Sequence, residues 1–166
     1  SGRPRNSLTM TTETKVIGGI ALTTIIILVG GIFLLTKSQT TNVPEDQIVA
    51  KTGLHWHPKV TVTIKGEKQE IPANLGLGAV HGKIHTHDQD NKEGVIHMEM
   101  KGVVVKDDTR LARFFQVWGK EFDENKIFDK TNSSDGSVKM LVNGKENTEL
   151  ENYKMHDGDK IEIRYD

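Results

Sequence analysis

Cysteine is missing from this chain altogether. That excludes disulfides, thiolate zinc sites and cysteine nucleophiles together, without choosing between a reducing and an oxidising compartment. An excess of one charge is missing too: 22 Lys and Arg stand against 23 Asp and Glu, for a formal net charge of −1. Such a balance lacks the electrostatic footprint of a nucleic-acid-binding domain, so no nucleic-acid partner is expected. Aromatic residues make up only 5% of the chain, and no internal repeat or low-complexity tract interrupts it. There is no G-x-S-x-G, no H-E-x-x-H and no phosphate loop, which removes the sequence signatures of serine hydrolases, zincins and P-loop nucleotide enzymes.

One long apolar run is present. "VIGGIALTTIIILVGGIFLL", Val16 to Leu35, is twenty uncharged residues, about what a helix needs to cross a hydrocarbon core. A cleaved signal sequence has a shorter apolar core and a small-residue cleavage site, whereas this run passes into "TKSQTTN". An uncleaved anchor is the expectation. Arg3, Arg5 and Lys15 precede the run, and Lys37, Glu45 and Asp46 follow it. The positive-inside rule then puts the N-terminus in the cytoplasm and the C-terminal domain outside, in a single-pass plasma-membrane protein. "MTTETK" from Met10 looks like a natural start, so residues 1–9 read as an appended or upstream stretch. Gly18-Gly19 and Gly30-Gly31 do not form G-x-x-x-G, so the helix is expected to be a tether rather than a dimerisation face. The expected organisation is an N-terminal tail over 1–15, a transmembrane helix in the bilayer over 16–35, a polar linker with Pro44 over 36–52, and an extracytoplasmic histidine-rich domain over 53–166.

In that domain "VTVTIKGEKQEIP" alternates apolar and polar residues and predicts a hairpin turning at Lys65-Gly66. "GVIHMEMKGVVV" predicts another strand region broken at Gly102. In "DDTRLARFFQVWGK" the period changes: Leu111, Phe114, Phe115 and Trp118 fall on one helical face as core residues. Thr109 or Asp108 is placed to cap that helix and Gly119 to end it. "SVKMLVNGK" and "DKIEIRYD" add strands, with a tight turn at Asp157–Asp159. The fold class is therefore α+β, one helix on a mixed β-sheet. Element order and the ending "NYKMHDGDKIEIRYD" resemble the β-grasp of ubiquitin-like domains; a cupredoxin-like β-sandwich is the alternative.

The histidines carry the chemistry. Residues two apart on a strand share a face, so His55 and His57 project together, with Trp56 opposed and able to be buried. His85 and His87 do the same across Thr86. His97 adds a nitrogen beside Glu99, while Met98 and Met100 face away as core. Neutral imidazoles suit zinc, copper, nickel or iron, and the candidate ligand set is His55, His57, His85, His87 and His97. His81 is available nearby, Asp88, Asp90 and Glu99 are placed to ligate or orient the rings, and His156 reads as a surface residue outside the site. Three histidines with an open position are also a hydrolytic zinc geometry, with Glu99 or Asp88 as base.

"GAVHGKIHTHDQDNKEG" loosely resembles the first cupin motif through Gly78, His85, His87, Glu93 and Gly94, but a second motif is missing. "LHWHPKVTVTIKGEKQEIPANLGLGAVHGKIHTHD", "GVIHMEMKG" and "RFFQVWGKEF" together resemble a family of small, single-pass, histidine-rich proteins of uncultured bacterial lineages, over nearly all of residues 54–166. That resemblance implies a domain of this organisation but no mechanism. It also implies cysteines flanking "IFDK", where this chain has Lys126 and Thr131, so no redox role carries over. The functional expectation is a membrane-anchored, extracytoplasmic protein that scavenges or hands on copper or zinc. A metal-dependent enzyme and a cell-surface interaction module with incidental histidines are the alternatives.

Overall fold

The computed structural model describes residues 12–37 and 43–166, with the side chains of all of these except 14, 18, 30 and 32–37. Arg3, Arg5 and most of the expected N-terminal tail, together with linker residues 38–42, lie outside the described residues. The chain divides into two compact units between Asn42 and Val43.

The first unit holds one α-helix, α1 (Thr12–Lys37). Nothing in the apolar run breaks it, and the two mid-helix threonines are satisfied internally: Thr23 Oγ1 and Thr24 Oγ1 donate to the carbonyls of Gly19 and Ile20, each at 2.9 Å. Val16, Ile17, Ile20, Leu22 and the run Ile25 to Val29 are exposed. Among the described residues, no helix is long and apolar enough to cross a membrane. The helix stands where the sequence predicts one, but its described side chains fall short of the expected transmembrane span, whose apolar end at 32–35 is not among them.

The second unit starts earlier than expected. β1 (Ile48–Ala50) falls inside the predicted 36–52 linker, yet it pairs with Val104 and Val105 and lays Val49 and Ala50 against the core. Then follow β2 (Gly53–Trp56), β3 (Lys59–Ile64), β4 (Glu67–Gln69), β5 (Ile84–His85), β6 (His97–Lys101) and β7 (Val104–Val105). Helix α2 (Leu111–Trp118) separates these from β8 (Phe122–Asp123), β9 (Lys126–Ile127), β10 (Lys130–Thr131), β11 (Val138–Val142), β12 (Lys145–Glu146) and β13 (Lys160–Tyr165). The architecture is mixed α+β, mostly sheet.

The largest sheet has five strands in the order β12-β11-β13-β3-β4. The central strand β13 and its neighbour β3 run parallel, and every other neighbouring pair is antiparallel. Alternation puts Val60 and Val62, Met140, and Ile161 and Ile163 into one core, as period two requires. Lys65 (φ 52°) and Gly66 (φ 84°) close the β3–β4 hairpin, both with the positive φ of a two-residue primed turn.

Helix α2 buries the four side chains the periodicity picks out, Leu111, Phe114, Phe115 and Trp118. Gly119 ends it in the left-handed region at φ 70°, where a Cβ would be strained. The start differs from expectation, because Arg110 occupies the N-cap and its side chain makes no cap bond. Asp108 Oδ2 instead accepts the Val105 N–H at 3.1 Å and Thr109 Oγ1 donates to the Lys106 carbonyl at 3.1 Å. Both serve the single 3-10 turn over Lys106–Thr109.

Gly94 is constrained by more than its backbone angle, since at φ +81° a Cβ there would meet the Val60 carbonyl oxygen at 2.2 Å. That oxygen belongs to backbone, so the clash cannot be relieved by a rotamer change. Gly94→Ala should cost roughly 1–3 kcal/mol, read as a lower urea midpoint.

Candidate metal centre

A second sheet, of three strands in the order β2-β6-β5, carries His55, His85 and His97, with His57 and His87 just beyond the ends of β2 and β5. Its register sets His55 opposite Glu99 and His85 opposite His97. The intervening residues turn inward: Ile84, Met98 and Met100 are buried, and Leu54 and Trp56 pack against the same core. The opposite face is thus a row of imidazoles over an apolar floor. Trp56 is only partly buried; the His156 ring stacks over it at a centroid distance of 5.8 Å.

The expected ligands come together on this face. His55, His57 and His97 form one group able to hold a metal ion, and His85, His87 and His97 form another; within each, the candidate ligand atoms lie within 4.8 Å of one another. Ring centroids are 4.7 Å apart for His55 and His57, 4.8 Å for His57 and His97, and 4.6 Å for His87 and His97. The two H-x-H pairs do not meet at one point. His97 stands between them and belongs to both groups. A third group joins His81, His85 and Glu99, so His81 and Glu99 belong to the constellation rather than to its margin. His156 belongs to none of these groups.

Two carboxylates lie against the rings and a third holds the backbone at His57. His97 Nε2 lies 2.8 Å from Asp90 Oδ2; a carboxylate only accepts, so this nitrogen carries the proton and Nδ1 keeps its lone pair. His55 Nε2 lies 3.2 Å from Glu99 Oε1. Asp157 Oδ1 accepts the His57 backbone N–H at 2.7 Å and sits 3.9 Å from its Nδ1. Asp157 is the partner the sequence does not reveal, being one hundred residues away. Of the acidic residues expected to help, Asp90 and Glu99 do so, whereas Asp88 has no bond to an imidazole among the described residues. Glu93 forms an ion pair with Lys59 at 3.0 Å, so the ligand that a cupin-like reading would assign to it is directed elsewhere.

His85 is the most telling member. It is 1% exposed, and its Nδ1 lies 3.0 Å from the Gly82 carbonyl. A carbonyl cannot donate, so Nδ1 bears the proton and Nε2 bears the lone pair. That Nε2 is buried and has no hydrogen-bond partner among the described residues. Leaving a buried acceptor unpaired costs about 1–3 kcal/mol, which a metal bond would offset. Burial is also the main cause lowering the His85 pKa from 6.5, the Gly82 bond opposing it. The neutral, ligand-ready form is thereby favoured.

A pH effect follows for the metal-free protein. With its folded pKa below the unfolded value, His85 binds fewer protons folded than unfolded in the interval between them. Its contribution is fully present above about pH 6.5 and is lost as the pH falls through the imidazole range. Urea midpoints measured with a chelator present should drop between pH 7.5 and 5.5, and His85→Gln should flatten that slope.

No family profile matches the chain, and neither a characterised protein nor a solved structure is similar enough to count as a match.

Proposed function

We propose that this protein is a membrane-tethered, extracytoplasmic domain that binds copper or zinc through a histidine cluster and scavenges or hands on the ion. The observation that carries the reading is the buried, unpartnered Nε2 of His85, surrounded by His81, His87 and His97. The proposed ligands are His55, His57, His85, His87 and His97, with Asp90 fixing His97 as carboxylates fix metal-bound imidazoles elsewhere. Met98 and Met100 are buried on the other face of the sheet, so no thioether biases the site toward copper over zinc. Calorimetric titration with zinc and with copper tests the reading: saturable binding in wild type, lost when His85→Ala and His97→Ala are combined so that no three-histidine group remains, is expected. Asp90→Asn should weaken binding about 10–100-fold. No saturable binding of either ion would reject the reading.

The scaffold supports a β-grasp-like classification rather than a cupredoxin-like sandwich, because a hairpin and the last strand make a parallel central pair, with the helix between them in sequence. The membrane part of the proposal rests on the apolar sequence of Val16–Leu35 and the exposed apolar side chains of α1. Protease added to intact cells should digest the domain and spare the N-terminal residues; protection of the domain would reverse the orientation. A metal-dependent enzyme stays the competing class, favoured by the open groove over Leu54, His55, His81 and Glu99, and turnover of a hydrolysable substrate by the zinc-loaded protein would separate the two.

A further inference from the structure

The three ligand groups overlap in an ordered way. His55–His57–His97 and His85–His87–His97 share His97, and His81–His85–Glu99 shares His85 with the second but nothing with the first. The middle group is also the most enclosed. His85 is 1% exposed and the His97 side chain 14%, whereas the side chains of His55, His57 and Glu99 are 59%, 43% and 44% exposed.

We propose that the cluster holds two transition-metal ions, in sequence: the first in the middle group, and the second only when both ions occupy the outer groups, with His81 and Glu99 as ligands of the second. The proposal rests on the histidine cluster being a metal site. Its logic is that each shared imidazole has a single lone pair to give. The His85 Nδ1 proton is committed to Gly82 and the His97 Nε2 proton to Asp90. Neither ring can therefore bridge two ions while keeping those bonds. An ion in the middle uses both rings and leaves neither outer group with its set of three. Two ions at once require the first to move aside, one taking His97 with His55 and His57, the other taking His85 with His81 and Glu99. His87, at ring distances of 4.9 Å from His85 and 4.6 Å from His97, can then complete either set.

Glu99 is the anionic donor in this arrangement, and its charge offsets part of the repulsion between neighbouring cations. It now lies 3.2 Å from His55 Nε2, so its move to the second ion clears the space beside that nitrogen for the first. The second ion therefore binds more weakly, and its arrival draws the first from the enclosed position to a solvent-facing one. This would give a cargo protein a route for release.

Cobalt(II) titration of the full chain, followed by visible absorption, tests this. Wild type should take two equivalents, the second at least tenfold weaker, and the spectrum of the first should be replaced rather than doubled. The doubly substituted chain, His81→Ala with Glu99→Gln, should take one equivalent and keep the first spectrum. Both side chains are exposed, and retained circular dichroism checks the fold. Saturation of wild type at one equivalent, two equivalents in the variant, or strictly additive spectra would each overturn the two-ion arrangement while leaving a single metal site standing. No cobalt bound to either protein would instead reject the metal site itself, and this arrangement with it.

Discussion

Phe115→Ala should destabilise the Val43–Asp166 unit by roughly 3–5 kcal/mol, the range for emptying a buried aromatic site. The ring is 2% exposed and lies in an aromatic cluster, stacked on Phe122 at 4.4 Å and beside Phe114 at 5.4 Å and Trp118 at 5.8 Å. It cannot be replaced from outside, since Phe114 is itself fully buried. Helix α2 packs against β5, the strand that carries His85, so the loss should also loosen the histidine face. Urea denaturation followed by tryptophan fluorescence reads the change. Truncating Phe114 and Phe115 together without loss of stability would dismiss α2 as a core element.

Metal binding should be the second large effect. An ion that binds only the native state stabilises by RT ln(1 + [L]/Kd), about 2.7 kcal/mol at one hundred times Kd. Zinc should therefore raise the melting temperature by several degrees, and a chelator should reverse the rise. The ligands must be neutral to bind, so protons compete: the gain is present above the imidazole range near pH 6.5 and fades as the pH falls through it. His97→Ala should remove most of the gain, because His97 belongs to both three-histidine groups. His156→Ala should leave it intact, since that ring stacks on Trp56 instead. An unchanged metal-induced shift in His97→Ala would mean a histidine-rich surface with no common centre.

Where a periodicity ran long enough to be read, the structure follows it. The alternation of "VIHMEM" told which of His97, Met98, Glu99 and Met100 share a face, and the i, i+3, i+4, i+7 pattern told which side chains of α2 are core. Both signals are local, and local signals survive folding when one face is buried. What was not legible is set by distance or by brevity. Asp157 reaches His57 only because the turn before β13 is carried alongside the end of β2, and no spacing rule joins residues so far apart. The strands β8, β9 and β10 are two residues each, too short for any period to show. The helix cap went to Arg110 because Asp108 and Thr109 were taken by an adjoining turn, a competition between two local structures that sequence alone does not rank. β1 was hidden by its polar flanks, although Ile48, Val49 and Ala50 are themselves apolar. The histidine site was legible as a set of residues. Its division into overlapping groups around His97 and His85 depended on the pairing of β2, β5 and β6.

Elemental analysis of the protein purified from its natural source, without chelators and without added metal, weighs most directly on the histidine cluster. At least one zinc or copper ion per chain is expected for wild type, and less than one tenth of that for a His85→Ala, His97→Ala double variant that keeps its circular dichroism. Wild-type protein carrying no transition metal, or no more than the variant, would contradict the assignment of this face as a metal centre.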